Sequence, residues 1–291
     1  MQKATAIVNG YVFLEGLRNF YERMKEELAK LDVDLELKTT TDLISYIESD
    51  GSIVVKEDLG SFVLFLDKDK YLSELLEKSG YRLFNGHEAI RLCDDKMLTY
   101  ISLSNSGIKM PKTIGSPLNY FNSDDSKFMK VIEDSFTYPL IAKHSYGSMG
   151  AGVFLINNHD ELVSFMKENG GISTLFQEFI QSSKGVDYRV IVIGGKAIGA
   201  MKRMNPNDFR SNIALGGTAE VAKLSDKYLK VAEKAASVLN LDYCGVDLLI
   251  GPNDEPVLCE VNSNAFVKGF EHYTGINVAK AYAEYIVSKI K

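Results

Sequence analysis

Two short apolar segments near the C-terminus carry acidic residues at positions that a hairpin would bring together. Residues 247–250 and 257–262 flank 251–256, where glycine, proline, asparagine and aspartate predict a turn and therefore an antiparallel hairpin. If the turn is centred in the middle of that segment, Asp247 lies directly opposite Glu260, with Cβ atoms roughly 5 Å apart. Two carboxylates at that distance repel each other, so the pair indicates a site for a cation.

Side-chain alternation places Asn262 on the same face of this hairpin as Glu260. Three oxygen ligands converging from Asp247, Glu260 and Asn262 suit Mg²⁺, which would also neutralise the repulsion. The alternative is an edge hairpin whose acids are solvated. The opposite face, however, has the composition of a buried surface, with Val246, Leu248, Cys259 and Val261. The sequence therefore favours a metal site.

Composition limits the classes of protein to which this chain can belong. Its 291 residues, 45% hydrophobic and 25% charged, are typical of one large globular domain or of two or three small ones. The net charge of −6 argues against a nucleic-acid-binding surface, although it allows a local basic pocket. Three scattered cysteines without C-x-x-C spacing predict reduced core residues of a cytoplasmic protein. No apolar run is long enough to span a membrane, and the apolar start predicts a strand rather than a signal peptide.

The order of predicted elements changes near residue 92, from the strand–helix alternation of an open α/β sheet to a mixed α+β pattern. The earlier part contains predicted strands at 4–8, 35–37, 53–55 and 62–66 and helices at 15–31, 41–48 and 69–78. The later part contains predicted strands at 139–143, 152–156 and 174–180, a hairpin of 187–193 with 196–204, and helices at 159–169, 226–240 and 275–290. We therefore predict an N-terminal α/β domain over 1–92 and a second domain over 93–291, which divides into subdomains 93–175 and 176–291.

A glycine-containing loop follows a lysine in residues 143–153. Glycines at positions 147, 150 and 152 let the backbone approach phosphate oxygens and present amide N–H groups to them. The loop is not a P-loop, because the lysine precedes the glycines, and a following strand argues against a dinucleotide fingerprint. It predicts either a flap that folds over a triphosphate or an ordinary hairpin loop. Lys143 favours the flap, because a lysine inside an apolar strand requires a charged partner if it is buried.

Other polar residues fall at a helix start and within predicted strands. Lys96 follows two aspartates at a helix start, where capping is the simpler explanation for the acids. Residues 176–180 are apolar except for Gln177 and Glu178, so they form either a core strand or a place where adenine meets the backbone. A polar and mainly cationic group occupies the next hairpin and its loop: Asp187, Arg189, Lys202, Arg203, Arg210 and Asn212. A solvated charged face is the usual explanation for such a group, but pairing of the two strands would bring these residues together.

In their order along the chain, these residues resemble the ATP-grasp superfamily and, within it, the RimK-like carboxylate–amine ligases. The matching elements are Phe84-Asn85 with Asp95-Lys96, Lys143 with its glycine flap, Gln177-Glu178-Phe179-Ile180, Gly185-x-Asp187-x-Arg189-Val190, Arg203, Arg210-x-Asn212 with Gly216-Gly217, Asp247, and Glu260-x-Asn262. The motifs cover the chain from about residue 84 onward, and the layout of elements matches before that. The resemblance implies an ATP-grasp fold with an N-terminal open α/β (pre-ATP-grasp) domain.

The resemblance also implies a role for each matched residue. The residues implied to contact ATP are Lys96 and Lys143 at the phosphates, the backbone of Glu178 and Phe179 at adenine, Asp187 at the ribose, and Gly147, Ser148, Gly150, Gln177, Ile180 and Arg189 elsewhere. The residues implied to stabilise the transferring phosphoryl group and an acyl phosphate are Arg203, Arg210 and Asn212. The residues implied to bind one or two Mg²⁺, with Mn²⁺ as an alternative, are Asp247, Glu260 and Asn262.

The implied activity is ATP-dependent ligation, in which a carboxylate attacks the γ-phosphate and an amine then displaces phosphate to form an amide. The implied substrates are a peptide or small-molecule carboxylate and an amino-acid amine such as glutamate, and relatives commonly form homo-oligomers. Residues 263–271 depart from the Ser-Pro-Gly-type segment of glutamate-adding members, which leaves the identity of the substrate open. Two alternatives remain, a phosphotransferase of the same fold that acts on an alcohol and a nucleotide-binding module without turnover.

Overall fold

The computed structural model describes residues 1–12, 15–120, 124–147 and 150–290. The elements of the first part are β1 (Gln2–Val8), α1 (Glu15–Ala29), β2 (Val33–Thr39), β3 (Ser45–Ile47), β4 (Ile53–Val55), β5 (Val63–Phe65), α2 (Lys70–Lys78), β6 (Leu83–Phe84), α3 (His87–Asp94) and α4 (Lys96–Leu103). Those of the remainder are β7 (Thr113–Gly115), α5 (Ser126–Ser135), β8 (Leu140–His144), β9 (Val153–Ile156), α6 (His159–Glu168), β10 (Thr174–Glu178), β11 (Val186–Ile193), β12 (Lys196–Met204), β13 (Thr218–Val221), α7 (Asp226–Val238), β14 (Tyr243–Ile250), β15 (Pro256–Asn262), α8 (Lys268–Thr274) and α9 (Val278–Ile290). The predicted combination of α/β and α+β structure is confirmed.

The first sheet is parallel and has the strand order β2-β1-β5-β6. Residues 4–8 of β1 are buried on both faces, as expected for a parallel strand with helices on either side. The chain runs from β1 to β2 on one side of it and later returns to β5 on the other side. The strand order therefore reverses between β1 and β5, and their carboxyl ends share one edge of the sheet. Among the helices formed by the described residues, none has both the length and the apolar character required to cross a membrane.

The predicted helix over 41–48 is wrong. That stretch forms a turn followed by β3, which pairs with β4 in a small antiparallel hairpin. The carboxylate of Asp42 accepts hydrogen bonds from the backbone N–H and the hydroxyl of Thr39, at 3.0 and 2.7 Å. These local bonds stabilise a turn at the point where the predicted helix would begin, because a side-chain acceptor competes there with helical hydrogen bonding.

The second sheet, with the strand order β7-β10-β8-β9, has a hydrophobic core of its own. Its buried apolar residues include Ile132, Phe136, Leu140, Phe165 and Phe176. Residues of α5 and α6 contribute to it, so the core lies between these helices and the sheet. This part of the chain is therefore a separate hydrophobic unit.

The third sheet, with the strand order β13-β12-β11-β14-β15, shares its core with the first sheet. Phe20 of α1 lies 5.5 Å from Tyr243 of β14, and Tyr243 lies 5.0 Å from Tyr282 of α9, measured between ring centroids. Aromatic pairs at such distances add stability beyond the area that they bury. The first and third sheets are thus packed as one body, against which the second sheet forms a cleft.

Asn85, directly after β6, joins these two sheets through four hydrogen bonds. Its Nδ2 donates to the carbonyls of Tyr243 and Ser263 at 2.8 and 2.7 Å. Its Oδ1 accepts from the backbone N–H groups of Asp242 and Tyr243 at 2.7 and 3.0 Å. The side chain is 3% exposed, so every polar atom of the amide is satisfied in the interior. This single amide fixes the start of β14 and the end of β15, the two strands that carry the predicted acidic pair.

Replacing Asn85 with alanine should lower the apparent free energy of unfolding by roughly 3–5 kcal/mol, because four buried backbone groups lose their partner. Urea unfolding followed by circular dichroism measures this change. Asn157→Ala, which removes an exposed amide bonded to Glu161, is the matched control and should cost less than about 1 kcal/mol. Equal losses for the two variants would contradict the structural role of Asn85.

Candidate active site

Polar side chains predicted from the sequence line up across the third sheet. Arg189 on β11 pairs with Asp247 on β14, and Asp247 pairs in turn with Glu260 on β15. The predicted hairpin register, with Asp247 opposite Glu260, is confirmed. In the next row, Asp187 on β11 pairs with Arg203 on β12. Strand pairing alone therefore places acids beside cations on one face of the sheet.

The acids and arginines of these rows form a continuous buried ion-pair network. Arg189 donates from Nε and Nη2 to the two carboxylate oxygens of Asp247, both at 2.7 Å. Arg203 Nη2 lies 2.9 Å from Asp247 Oδ2, and Arg203 also holds Asp187 through Nε, at 2.7 Å, and through Nη2. Asp187, Arg203 and Asp247 are each no more than 5% exposed. Such a network is stable only with its charges balanced, and here two acids face two arginines.

The electrostatics of Asp247 follow from this network. Burial by itself would raise the pKa of the Asp247 carboxyl, but the guanidinium groups of Arg189 and Arg203 hold that pKa below its ordinary value. Asp247 is therefore ionised at neutral pH. Among the described residues, the contacts of both arginines with the aspartates use Nε and Nη2, so each Nη1 remains for another partner.

The donor set fits a hard divalent cation. Three of the roughly four acceptor positions of the Asp247 carboxylate contact arginines, which leaves one on Oδ1. Within the described ranges, Glu260 contacts a cation only at 3.7 Å, from Lys96 Nζ. The amide nitrogen of Asn262 is buried and has no hydrogen-bond partner among the described residues, and a half-turn of that amide would place an oxygen at the same position. Two carboxylates and an unpartnered amide at the end of paired strands suit Mg²⁺, which prefers oxygen ligands.

The position of Cys259 corrects the prediction for the opposite face of the hairpin. The register shifts between Asp247 and Leu248, so Cys259 is an extra residue without a cross-strand partner. Such a β-bulge interrupts the alternation of sides. Cys259 therefore lines the pocket together with Glu260, and its Sγ lies 3.7 Å from Lys143 Nζ. Burial raises the pKa of the Cys259 thiol, so the neutral form faces the lysine.

Two lysines approach the same acids from the other side of the cleft. Lys143, near the end of β8, is 8% exposed and points towards β15. Lys96 begins α4 directly after Asp95, whose carboxylate accepts from the N–H groups of Met97 and Leu98. Asp95 therefore caps the helix, as the simpler explanation held. Lys96 itself points into the cleft, where its Nζ donates to the Gly147 carbonyl at 2.8 Å. Burial lowers the pKa of Lys96 because it disfavours the charged ammonium form, and the nearby Glu260 carboxylate offsets part of this effect.

The glycine loop lies at the mouth of this cleft. Gly147 and Gly150 both have positive φ angles, of 131° and 79°, which glycine adopts without strain. Arg210 Nη1 donates to the Gly150 carbonyl at 2.9 Å, so the loop is tied to the segment that follows β12. Asp208, which sequence reasoning missed, holds the same guanidinium through both carboxylate oxygens. The sequence signal that could have identified this contact is the position of Asp208 two residues before Arg210. Ser148, predicted as a nucleotide contact, lies outside the described residues.

The strand predicted to meet adenine is β10 with the residues after it. Gln177 is buried and donates to the Thr113 hydroxyl at 2.8 Å, which makes it part of the sheet. The backbone N–H of Glu178 donates to the Lys112 carbonyl at 3.2 Å, so this N–H is used and only the carbonyl is left for a ligand. Phe179 faces Phe209 with ring centroids 6.4 Å apart. Phe209 therefore contributes a second aromatic ring to the lining of this site, and no sequence motif indicated it.

A pocket of about 110 Å³ lies between the second and third sheets, and most of the predicted site residues line it. Those that line it are Lys96, Lys143, Gly147, Gly150, Gln177, Glu178, Phe179, Ile180, Asp187, Arg203, Arg210, Asn212, Asp247 and Glu260. Arg189 and Asn262 instead line a larger neighbouring cavity, which Glu260, Arg203 and Asn212 also reach. Glu260 thus lies where the two spaces meet, whereas Asp247 lines the smaller one.

Comparison with known proteins agrees with this geometry. A family model described as a RimK-like ATP-grasp domain matches residues 93–286. The Vibrio atlanticus protein named "Probable alpha-L-glutamate ligase" is 36% identical over 218 residues, which cover 74% of this chain and 70% of that protein. Beta-citrylglutamate synthase B of Danio rerio is 32% identical over 228 residues, which cover 76% of this chain but only 54% of that protein. The chain therefore spans about half the length of that relative.

Solved structures of low sequence identity share the fold. An ATP-grasp ligase, PsnB, complexed with a minimal precursor, Mg and ADP, has a TM-score of 0.71 and 16% identity, and the match covers 99% of this chain and 97% of that one. D-alanine–D-alanine ligase of Bacillus anthracis has a TM-score of 0.69 and 19% identity, over 100% of this chain and 97% of that one. The match to the family model covers more than half of the sequence. The chain belongs to the RimK-like ATP-grasp family.

Proposed function

We propose that this chain is an ATP-dependent carboxylate–amine ligase that forms an amide bond through an acyl phosphate. The observation that carries the proposal is the meeting of two buried lysines with the Asp247–Glu260 pair and two arginines in one cleft. Cations on both sides of a metal-binding acid pair are suited to a transferring phosphoryl group. The names of the Vibrio atlanticus and Danio rerio relatives, a ligase and a synthase, support the same class of reaction.

The proposed nucleotide site is the pocket of about 110 Å³. Lys96 and Lys143 hold the phosphates, and the glycine loop covers them. Adenine lies against Phe179 and meets the carbonyl of Glu178. Asp187 contacts the ribose while it keeps Arg203 in place, since each of its carboxylate oxygens retains a second acceptor position. The other proposed contacts to ATP in this pocket are Gly147, Gly150, Gln177 and Ile180. Ser148, outside the described residues, and Arg189, which lines the neighbouring cavity, are contacts that only the family resemblance implies.

The proposed metal ligands are Asp247, Glu260 and Asn262, which suit one or two Mg²⁺, or Mn²⁺. When bound, the metal neutralises charge on the ATP phosphates. The chain's contribution is to orient the ligands, because Arg189 and Arg203 fix the Asp247 carboxylate through three contacts and leave one acceptor position on Oδ1. Removal of Asp247 would also take away the carboxylate that pairs with Arg189 and one of the two that pair with Arg203, so this residue has a structural role besides its proposed one.

The acyl donor is proposed to enter beside Arg203, Arg210 and Asn212. The free Nη1 of Arg203 and the amide of Asn212 can bind a carboxylate and then the acyl phosphate derived from it. The carboxylate oxygen bonds to the γ-phosphorus as the bond to ADP breaks. An amine nitrogen then bonds to the acyl carbon as phosphate leaves with the bonding electrons, and its proton passes to solvent or phosphate. Charge stabilisation and positioning are the protein's part in both steps.

The finer features of the proposal rest on the family. The amine is an amino acid such as glutamate, and the carboxylate belongs to a peptide or small metabolite. Cytoplasmic location is supported by three free cysteines, and a homo-oligomer is expected from relatives. Domains of 1–92 and 93–291, the latter divided at 175, are supported by the start of the family match at residue 93.

The test of the reaction class is a search for the acyl phosphate. Purified enzyme with Mg-ATP and a panel of amino acids and short peptides should release ADP, and added hydroxylamine should trap the intermediate as a hydroxamate. Omission of the acid is the control and should abolish both products. A phosphorylated alcohol as the stable product, with no hydroxamate from any accepted acid, would instead establish a phosphotransferase.

Glu260→Gln should reduce turnover by at least about a hundredfold at limiting Mg²⁺, because one charged oxygen ligand becomes a weak neutral one. The loss should shrink as Mg²⁺ is raised. Glu255→Gln, at the turn of the same hairpin, is the matched control, since the exposed Lys109 is the one described residue that its carboxylate contacts. Steady-state ADP release over a range of Mg²⁺ concentrations measures both. Unchanged turnover of Glu260→Gln would remove this residue from the metal site.

Lys143→Met should raise the Kd for ATP by about tenfold to a hundredfold, because a fixed cation near the phosphates is replaced by an apolar chain of similar length. Lys130→Met, on the exposed surface of α5, is the control and should bind ATP as the wild type does. Calorimetric titration with a non-hydrolysable ATP analogue gives both constants. If the two variants bind equally well, Lys143 has a structural role only.

A further inference from the structure

The larger cavity beside the acidic pair has a volume of about 1050 Å³. One end is formed by Arg203, Glu260 and Asn262 of the third sheet. The other end reaches Asn9 and Asp67, which follow β1 and β5 at the carboxyl edge of the parallel sheet. Strand order reverses between these two strands, and ligands of open α/β sheets bind at such an edge. The cavity is large enough to hold a second substrate next to the proposed nucleotide site.

Asp67 differs from the other acids that line this cavity. Glu15 forms an ion pair with Lys268 at 2.8 Å, and Glu260 lies 3.7 Å from Lys96. Within the described part of the chain, Asp67 has no ion-pair partner. The adjacent Lys68 is paired with Asp94, at 3.0 Å. Asp67 is thus a partly buried carboxylate that opens onto the cavity and forms an ion pair with none of the described cations that line it.

The orientation of the Asp67 carboxylate is nevertheless fixed. Asn9 Nδ2 donates to its Oδ2 at 3.1 Å, and the backbone N–H of Lys68 donates to its Oδ1 at 2.6 Å. Asn9 is held in turn, because its own Oδ1 accepts from the N–H groups of Tyr11 and Val12, both at 2.9 Å. Burial raises the pKa of the Asp67 carboxyl, as expected where a charge lacks a partner. These contacts hold the carboxylate towards a ligand without neutralising it.

A cation would stabilise the ionised form of this carboxylate, because an unpaired buried charge is unfavourable. A divalent metal ion demands more oxygen ligands than one carboxylate and an already bonded amide provide. A primary ammonium group has three donors, which suit the remaining acceptor positions on Asp67. The proposed ligase reaction consumes an amine, which reaches the enzyme mainly as an ammonium ion at neutral pH.

We propose that Asp67 recognises the ammonium group of an amine-bearing substrate at the carboxyl edge of β1 and β5, and that Asn9 positions Asp67. The inference rests on the proposed ligase function for its choice of substrate class. The ammonium belongs either to the acyl donor or to the acyl acceptor; an acceptor amine has to lose a proton and leave Asp67 before it attacks the acyl carbon beside Arg203. Residue 67 therefore selects amine-bearing molecules over their deaminated counterparts.

The test is binding of the wild type and two variants to a panel of L-amino acids and dipeptides, in the presence of Mg²⁺ and a non-hydrolysable ATP analogue. The tightest ligand is then compared with its deaminated analogue, such as L-glutamate with glutarate. Asp67→Asn should weaken the amine-bearing ligand by about tenfold or more and leave the deaminated one within about twofold. Asp69→Asn removes a charge two residues away and keeps a helix cap, so it should match the wild type.

Equal affinity of wild type and Asp67→Asn for the amine-bearing ligand would overturn the inference, and so would a wild type that binds no member of the panel. Hydroxamate formation distinguishes the two sources of the ammonium, because hydroxylamine replaces the acceptor. If the acceptor is recognised, Asp67→Asn raises its KM but leaves hydroxamate formation intact. If the donor is recognised, hydroxamate formation falls as well.

Failure of this inference and failure of the ligase function give different results. A wild type that releases ADP with acid and amine, together with an Asp67→Asn variant of unchanged KM and affinity, would overturn only the role of Asp67. A wild type that binds amino acids through Asp67 but releases no ADP would overturn only the ligase function.

Discussion

The buried network of Asp187, Arg203, Asp247 and Arg189 is the interaction on which the cleft depends. Each member is held by the strand pairing of the third sheet, and each charge is compensated by a neighbour on an adjacent strand. A charge buried without such a partner would lose its ionised form or destabilise the sheet. The network therefore allows an acid to remain ionised deep in the protein, beside the carboxylate of Glu260. The proposed nucleotide pocket and the larger cavity both open onto this charged face.

The division of hydrophobic cores explains how the cleft is built. The first and third sheets share one core, whereas the second sheet has its own. Lys143 and the glycine loop belong to the second sheet, and the acids belong to the third. Lys143, one of the two proposed phosphate-binding lysines, thus comes from a body that packs separately from the proposed metal-binding acids. Contacts such as Arg210 with the Gly150 carbonyl connect them across the space that a nucleotide would fill.

Much of this arrangement could be predicted from the sequence, because it depends on strand pairing. The opposition of Asp247 and Glu260 follows from the position of a turn, and the placement of Lys143 follows from its strand. The parts that could not be predicted depend on irregularity or on distant contacts. The bulge at Cys259 reverses the side of one residue without any signal in composition. The isolation of Asp67 becomes visible only when the edge of the first sheet is placed against the third.

The aromatic contact of α1 with β14 and α9 has a consequence for biosynthesis. Phe20 and Tyr282 lie in the same core although most of the sequence separates them. An apolar face of α1 therefore stays exposed on the ribosome until α9 has emerged, however early its own helix forms. Contacts of such long range slow folding and prolong the exposure of apolar surface. We expect the nascent chain to rely on chaperones during that interval more than its ordinary size would suggest.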